Sequence, residues 1–354
     1  MGTGERGVDL GRSRLPLPPC HRPEWTEQVA RVPYQELAIM AAAWREQYAI
    51  APAARDQHRL VLLAIDVQNT FCLPDFELFV GGRSGRGAID DSRRLCEFIY
   101  HNLPHLTAIV PTLDTHGALQ IFHPHFWCDR DGQPPAPMTQ IDAASVESGQ
   151  WRVNPAIAAA LGSTPDQLAN HGLHYVKSLE QAGKFPLTIW PYHSMLGGVG
   201  HALVAAFEAA CFFHAIARHS PTRFDLKGDH PLTEHYSALG PEVAIAADGS
   251  PLGSANGRLL DYLLEFDAIA IAGQAKSHCV AWTIADLLAR IQAIDPALAG
   301  RVYLLEDCMS PVVVPGVVDF SDAAEAAFAQ FAAAGMHRVR STDPPDTWPD
   351  WGDR

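Results

Sequence analysis

The chain is short of positive charge. Across 354 residues, 26 Lys and Arg stand against 40 Asp and Glu, a formal net charge of −14. An acidic surface repels a phosphate backbone and an anionic membrane alike, so neither is expected as a partner. No apolar run reaches the roughly 18–20 residues that a bilayer span demands. The opening stretch, MGTGERGVDLGRSRLPLPPCHRPEW, has no apolar core of a secretory signal. Gly2 is followed by Arg6 where a myristoylation signal has Ser or Thr, so that signal is discounted. No CxxC pair occurs among the seven cysteines, whose number is odd and whose spacing is wide. That pattern excludes a disulfide framework and points to reduced thiols in the cytoplasm. Internal repeats, low-complexity tracts and a Gly-rich phosphate loop are also missing. GGRSGRG (81–87) joins no strand to a helix and is read as a mobile loop.

What is present is a globular composition: 47% hydrophobic and 19% charged. Apolar runs and amphipathic stretches alternate. HRLVLLAIDVQNTF reads as a buried strand ending at Asp66, and SRRLCEFIYHNL as a helix. HLTAIVPTLDTH is a second strand, ending at Asp114 and His116. GHALVAAFEAACFFHAIARH is helical, FDAIAIAGQ and RVYLLEDC are strands with a helix between them, and SDAAEAAFAQFAAAGMHRVRST supplies a last helix and strand. Residues 35–56 look helical, and within the polar stretch 126–186 one helix is expected at NPAIAAALG. Alternation of this kind implies an α/β fold, a mainly parallel sheet covered by helices on both faces.

Ligands of such sheets bind beyond the carboxyl ends of the strands. That rule brings together Asp66, Asp114, His116 and Cys279, each at or just past a strand end. Cys279 begins the helix CVAWTIADLLAR. Free N–H groups and the positive end of the helix dipole lower a thiol pKa and favour the thiolate. The same N–H groups suit an oxyanion. Asp114-x-His116 sets two metal-ligating side chains on one side of an extended segment.

GQAKSHCV resembles the active-cysteine turn of the nicotinamidase/isochorismatase-like cysteine hydrolases. AIDVQNTFC, LDTH, WPYH (190–193), and DLKG (225–228) followed by HYSAL (235–239), resemble further segments of that family, in its order. The resemblance spans about 57 to 342 and implies a three-layer α/β/α sandwich. It makes 57–342 the hydrolase domain with an insertion at about 126–186. Residues 1–56 are then an N-terminal extension and 343–354 a C-terminal tail. It implies a catalytic triad of Asp66, Lys227 and Cys279 and a cis Gln274–Ala275 bond. The Ala275 and Cys279 amides would form the oxyanion hole, and Phe71, Trp190 and Tyr236 would line the substrate pocket. A divalent ion (Zn, Fe or Mn) would be held by Asp114, His116, His193 and either His123 or His125, His123 fitting the family spacing better. The activity implied is hydrolysis of a small amide, nicotinamide to nicotinate and ammonia, through a thioester on Cys279. The alternatives are another small amide, a ureido or carbamoyl substrate, or a non-catalytic metal-binding relative. The long insertion is expected to act as a lid or an oligomer contact, and the extension to cover a neighbouring subunit, so a homo-oligomer is expected.

Overall fold

The computed structural model describes residues 14–253 and 256–352; Gly2 and Arg6 lie outside them. Six strands form the central sheet: β1 (Leu60–Ile65), β2 (Leu106–Asp114), β3 (Asp225–Lys227), β4 (Ala268–Gly273), β5 (Val302–Leu305) and β6 (His337–Val339). Their order is β6-β5-β4-β1-β2-β3, and every neighbouring pair is parallel. The chain runs outward from β1 to β3, returns, and runs outward the other way from β4 to β6. The reversal falls between β1 and β4, which is where an open α/β sheet leaves a crevice.

Seven longer helices accompany it: α1 (Tyr34–Gln47), α2 (Gly87–His101), α3 (Pro165–Gln181), α4 (Ala205–Arg218), α5 (Gly257–Leu264), α6 (Ala281–Ile294) and α7 (Ser321–Ala333). Alternate side chains of each strand feed two cores, as the period of two requires. Val61, Leu63 and Ile65 pack with α3, α5, α6 and α7. Leu60, Leu62 and Ala64 pack with α1, α2 and α4. The result is a three-layer α/β/α sandwich.

Several local expectations change. NPAIAAALG forms two short 3-10 turns, Pro155–Ile157 and Ala159–Leu161, rather than a helix. The true helix of the insertion is α3. Thr164 caps it reciprocally with Gln167, and Pro165 occupies its first turn. It buries Leu168, His171, Tyr175, Val176 and Leu179, one stripe of a helix. Asp225–Lys227 is an edge strand of three residues, too short to show a period. In the loop 81–87, Arg83 forms surface ion pairs with Asp319 at 2.7 Å and Asp322 at 3.0 Å. In the described part of the extension, α1 packs on this chain's own helix α4, and Leu37, Ala41 and Trp44 join that side of the core. Trp348 of the tail is buried and stacks on Phe98.

Gly273 ends β4 directly opposite Ile65. Its φ is +118°, and a Cβ there would overlap the Ile65 carbonyl oxygen and lie 2.6 Å from Ile65 N. Glycine alone lets the two strands approach at the crevice. Gly273→Ala is expected to destabilise the protein by about 3–5 kcal/mol in urea unfolding; an unchanged midpoint and slope would contradict the close approach.

Candidate active site

The crevice gathers its polar groups from four strands. Asp66 follows β1 with φ 49°, a left-handed turn that takes the chain out of the sheet. Thr112 on β2 anchors it: its hydroxyl donates to Asp66 Oδ1 at 2.6 Å and accepts from Asp66 N–H at 3.0 Å. Lys227 sits in register opposite Asp114. Its ammonium lies 2.9 Å from Asp66 Oδ2 and donates to Asp114 Oδ1 at 2.8 Å and to the His235 carbonyl at 3.0 Å. It also lies 3.7 Å from Cys279 Sγ. Cys279 stands in a wide helical turn, Lys276–Val280, that follows β4 and runs into α6. The three residues of the expected triad are thus brought together, buried, at one point.

The electrostatics differ from the sequence expectation. Burial pushes the Cys279 thiol well above its ordinary value; Lys227 pulls it down, but Asp66 and Asp114 push it up again. Burial also raises Asp66, against the pull of Lys227. Burial penalises Asp114 too, yet His116 and Lys227 together hold it well below the usual carboxylate range. Lys227 is penalised by burial but is raised well above its ordinary value by the two carboxylates. Of the two acids, Asp66 is therefore the one able to take a proton.

Asp114, His116 and His193 are all buried, with ligand atoms within 4.8 Å of one another. His116 Nδ1 faces the Gly228 carbonyl at 2.9 Å, and His193 Nδ1 faces the Pro191 carbonyl at 2.8 Å. A carbonyl only accepts, so each Nδ1 carries the hydrogen. Both Nε2 atoms then face Asp114 Oδ2, at 2.6 and 3.4 Å. A proton on Nε2 can bridge to the carboxylate there, and a metal ion bound by the three atoms would take that proton's place. Gly228, with φ +88°, keeps the place open: a Cβ there would lie 2.7 Å from His116 Cε1 and 3.0 Å from Asp114 Oδ1. His123 is fully buried with its ring 5.9 Å from His116 and 5.7 Å from His193. Neither of its nitrogens has a hydrogen-bond partner of ordinary geometry among the described residues. His125 is exposed. The residues therefore fit a divalent ion with mixed N and O ligands, and His123 is the histidine beside it.

A cavity of about 400 Å³ opens onto Cys279 and this cluster. Phe71, Trp190 and Tyr236 all line it, as expected. Phe71 meets the His193 ring edge-on at 5.8 Å. Trp190 Nε1 donates to Glu234 Oε1 at 2.8 Å and to the Tyr236 hydroxyl at 3.1 Å. The Gln274–Ala275 bond is cis. Ala275 lines the cavity, and its N–H finds no acceptor among the described residues. Glu234 and His278 are among the lining residues that escaped the sequence reading. Glu234 is buried, and burial with Glu242 nearby pushes its carboxyl up to about 8. His278, beside the thiol, is lowered by burial to about 4. Neither lies on a periodic pattern; His278 could have been found only as the neighbour of Cys279.

No protein-family profile and no curated protein matches the chain. Solved structures similar to it include an Acinetobacter baumanii nicotinamidase, 19% identical over 82% of this chain and 99% of that one, with a TM-score of 0.47. The yeast nicotinamidase bound to the inhibitor nicotinaldehyde is 15% identical over 79% of this chain and 99% of that one, with a TM-score of 0.49. The N-carbamoylsarcosine amidase of Thermoplasma acidophilum is 13% identical over 80% of this chain and 98% of that one, with a TM-score of 0.38. No helix of the described residues is long and apolar enough to cross a membrane.

Zinc titrated into chelator-treated protein is expected to bind at one ion per chain. His123→Ala should weaken it at least about tenfold, and His125→Ala should leave it unchanged; equal affinities for the two variants would remove His123 from the set. Glu234 holds its proton in the folded state up to about 8, against an ordinary value of 4.5. Between those values the folded state binds more protons than the unfolded one, so stability falls as pH rises and levels off above about 8. The slope from this group is at most about 1.4 kcal/mol per pH unit. Thermal melts of Glu234→Gln against the parent across that range should show the slope reduced; parallel curves would refute the assignment.

Proposed function

We propose that the protein is a metal-assisted cysteine amidohydrolase of the nicotinamidase/isochorismatase-like kind, acting on a small primary amide, with nicotinamide as the first substrate to test. The observation that carries this reading is the meeting of Asp66, Lys227 and Cys279 at the switch point of the sheet, with Cys279 lining a cavity. Sequence resemblance over five segments supports it independently.

The geometry supports the following course. Asp66 takes the thiol proton as Cys279 Sγ bonds to the amide carbon, so a free thiolate never has to persist in the buried site. Negative charge moves to the carbonyl oxygen, where the Ala275 and Cys279 amides receive it. The C–N bond then breaks, the nitrogen takes the proton from Asp66, and ammonia leaves a thioester. Water attacks the thioester carbon and gives a proton to Asp66. The C–S bond breaks, the sulfur takes that proton back, and the acid departs. Lys227 holds Asp66 in place and offsets the charge that Asp66 and Asp114 concentrate there. A divalent ion held by Asp114, His116, His193 and His123 would act as a Lewis acid that binds and orients a donor atom of the substrate. Phe71, Trp190 and Tyr236 supply aromatic surfaces for a flat ring.

Ammonia release from nicotinamide by the zinc-loaded protein tests the reading. Cys279→Ala should abolish it, and Asp66→Asn should lower kcat by about 10²–10⁴. Absence of ammonia from nicotinamide and from other primary amides, or activity retained in Cys279→Ala, would overturn it.

A further inference from the structure

The cavity is larger than a single-ring amide requires. Its volume of about 400 Å³ falls in the range that holds drug-sized ligands. Its deep end, with Cys279, Ala275 and Asp114, is buried and polar. Its outer part is built by three separate segments: Leu78 and Phe79 after β1, Met138 of the insertion, and Val312, Val313 and Val314 after β5. All six of these apolar side chains are half-buried rather than sealed in the core.

Met138 gives this rim a second, independent mark. It is a non-glycine residue with φ 71°, a backbone region that side chains of its size rarely occupy. The backbone is pinned there by hydrogen bonds to the strand leading to Trp190: Met138 N–H donates to the Ile189 carbonyl at 2.6 Å, and Ile189 N–H to the Thr139 carbonyl at 2.8 Å. Such outliers persist where the surrounding structure holds them, and they cluster at ligand sites. Met is also the side chain best able to mould itself to an irregular apolar partner. No Lys or Arg lines the cavity among the described residues, so no fixed side-chain cation awaits a substrate carboxylate, and Glu77 stands at its exposed edge.

We propose that the substrate is an uncharged primary amide carrying an apolar extension, which lies against Leu78, Phe79, Met138 and Val312–Val314 while the amide reaches Cys279. The proposal rests on the amidohydrolase reading and narrows its substrate class. The insertion is then a specificity wall. It contributes the rim residue Met138, and α3 braces the opposite wall, with His171 Nε2 2.8 Å from the Leu232 carbonyl and Tyr175 Oη accepting from Glu234 N–H at 3.1 Å.

The test is a substrate series on the zinc-loaded full-length protein: benzamide, 3- and 4-propylbenzamide, 3- and 4-butylbenzamide, and 4-carboxybenzamide. Full burial of a methylene adds about fourfold in affinity. The better butyl isomer should exceed benzamide in kcat/KM by at least about tenfold, and the carboxylate should fall below benzamide. Met138→Gly, which removes the side chain and relaxes the backbone, should cut the butyl-to-benzamide ratio at least about threefold, as should Val313→Asp. The ratio cancels any loss of folded protein. A flat or falling series with benzamide turned over overturns the proposal and leaves the amidohydrolase reading standing. If no amide is turned over, that reading fails instead, and calorimetry of the same ligands decides the proposal: tighter binding of a butyl isomer supports it, and equal binding overturns it.

Discussion

One ammonium group holds the centre of this molecule together. Lys227 Nζ lies within 2.9 Å of carboxylate oxygens from both Asp66 and Asp114, all three side chains being buried. Two buried carboxylates repel each other strongly and are tolerated only when a cation is shared between them. Sharing is unequal. Asp114 is also flanked by His116 and His193, so it keeps its charge, whereas Asp66 is left ready to accept a proton. In the proposed mechanism, the use of Asp66 rather than Asp114 as proton carrier follows from that asymmetry. Asp114 joins the two halves of the site, one oxygen facing Lys227 and the other the histidines.

The sheet order explains why these groups meet. β1 and β4 are adjacent although more than two hundred residues separate them, and their carboxyl ends deliver Asp66 and the Cys279 turn to the same crevice. β2 and β3 bring Asp114 and Lys227 into register beside them. Gly273 permits the close approach of β4 to β1, and Gly228 keeps a Cβ out of the His116–Asp114 pair. The stretch expected to be an insertion packs beside the site. Its helix α3 does not cap the cavity; it braces the segment that carries Glu234 and Tyr236. Lys184, just beyond that helix, reinforces the same segment through Glu242, whose carbonyl and carboxylate it contacts at 2.9 Å each.

Residues that share a local pattern were the readable ones. The apolar runs of β1, β2, β4 and β5 announce buried strands, and the polar residues just after them mark the site edge. α3 carried a legible signal as well, the Thr164–Gln167 capping box with Pro165, and the alanine-rich NPAIAAALG drew attention away from it. Its alanines favour a helix, but Gly162 at φ 65° stops the chain after two tight turns. β3 offers no such signal, because three residues at a sheet edge have neither length nor alternation. Lys227 in DLKGDH looks like a surface lysine until its strand is paired with β2.

Periodicity, glycine placement and strand-end chemistry act over a few residues, so the order of amino acids alone was enough for the α/β class, the positions of most strands, and the acid, thiol and metal-ligating candidates. Charge states and pocket dimensions arise from groups far apart in the chain, and only the folded arrangement decided them. Burial and two carboxylates push the Cys279 thiol up against the pull of one ammonium, and these groups come from distant parts of the chain. His123 rather than His125 stands beside the cluster because the turn after it sends His125 to the surface. Desolvation depends on every neighbour at once, and no neighbour in sequence can stand in for it.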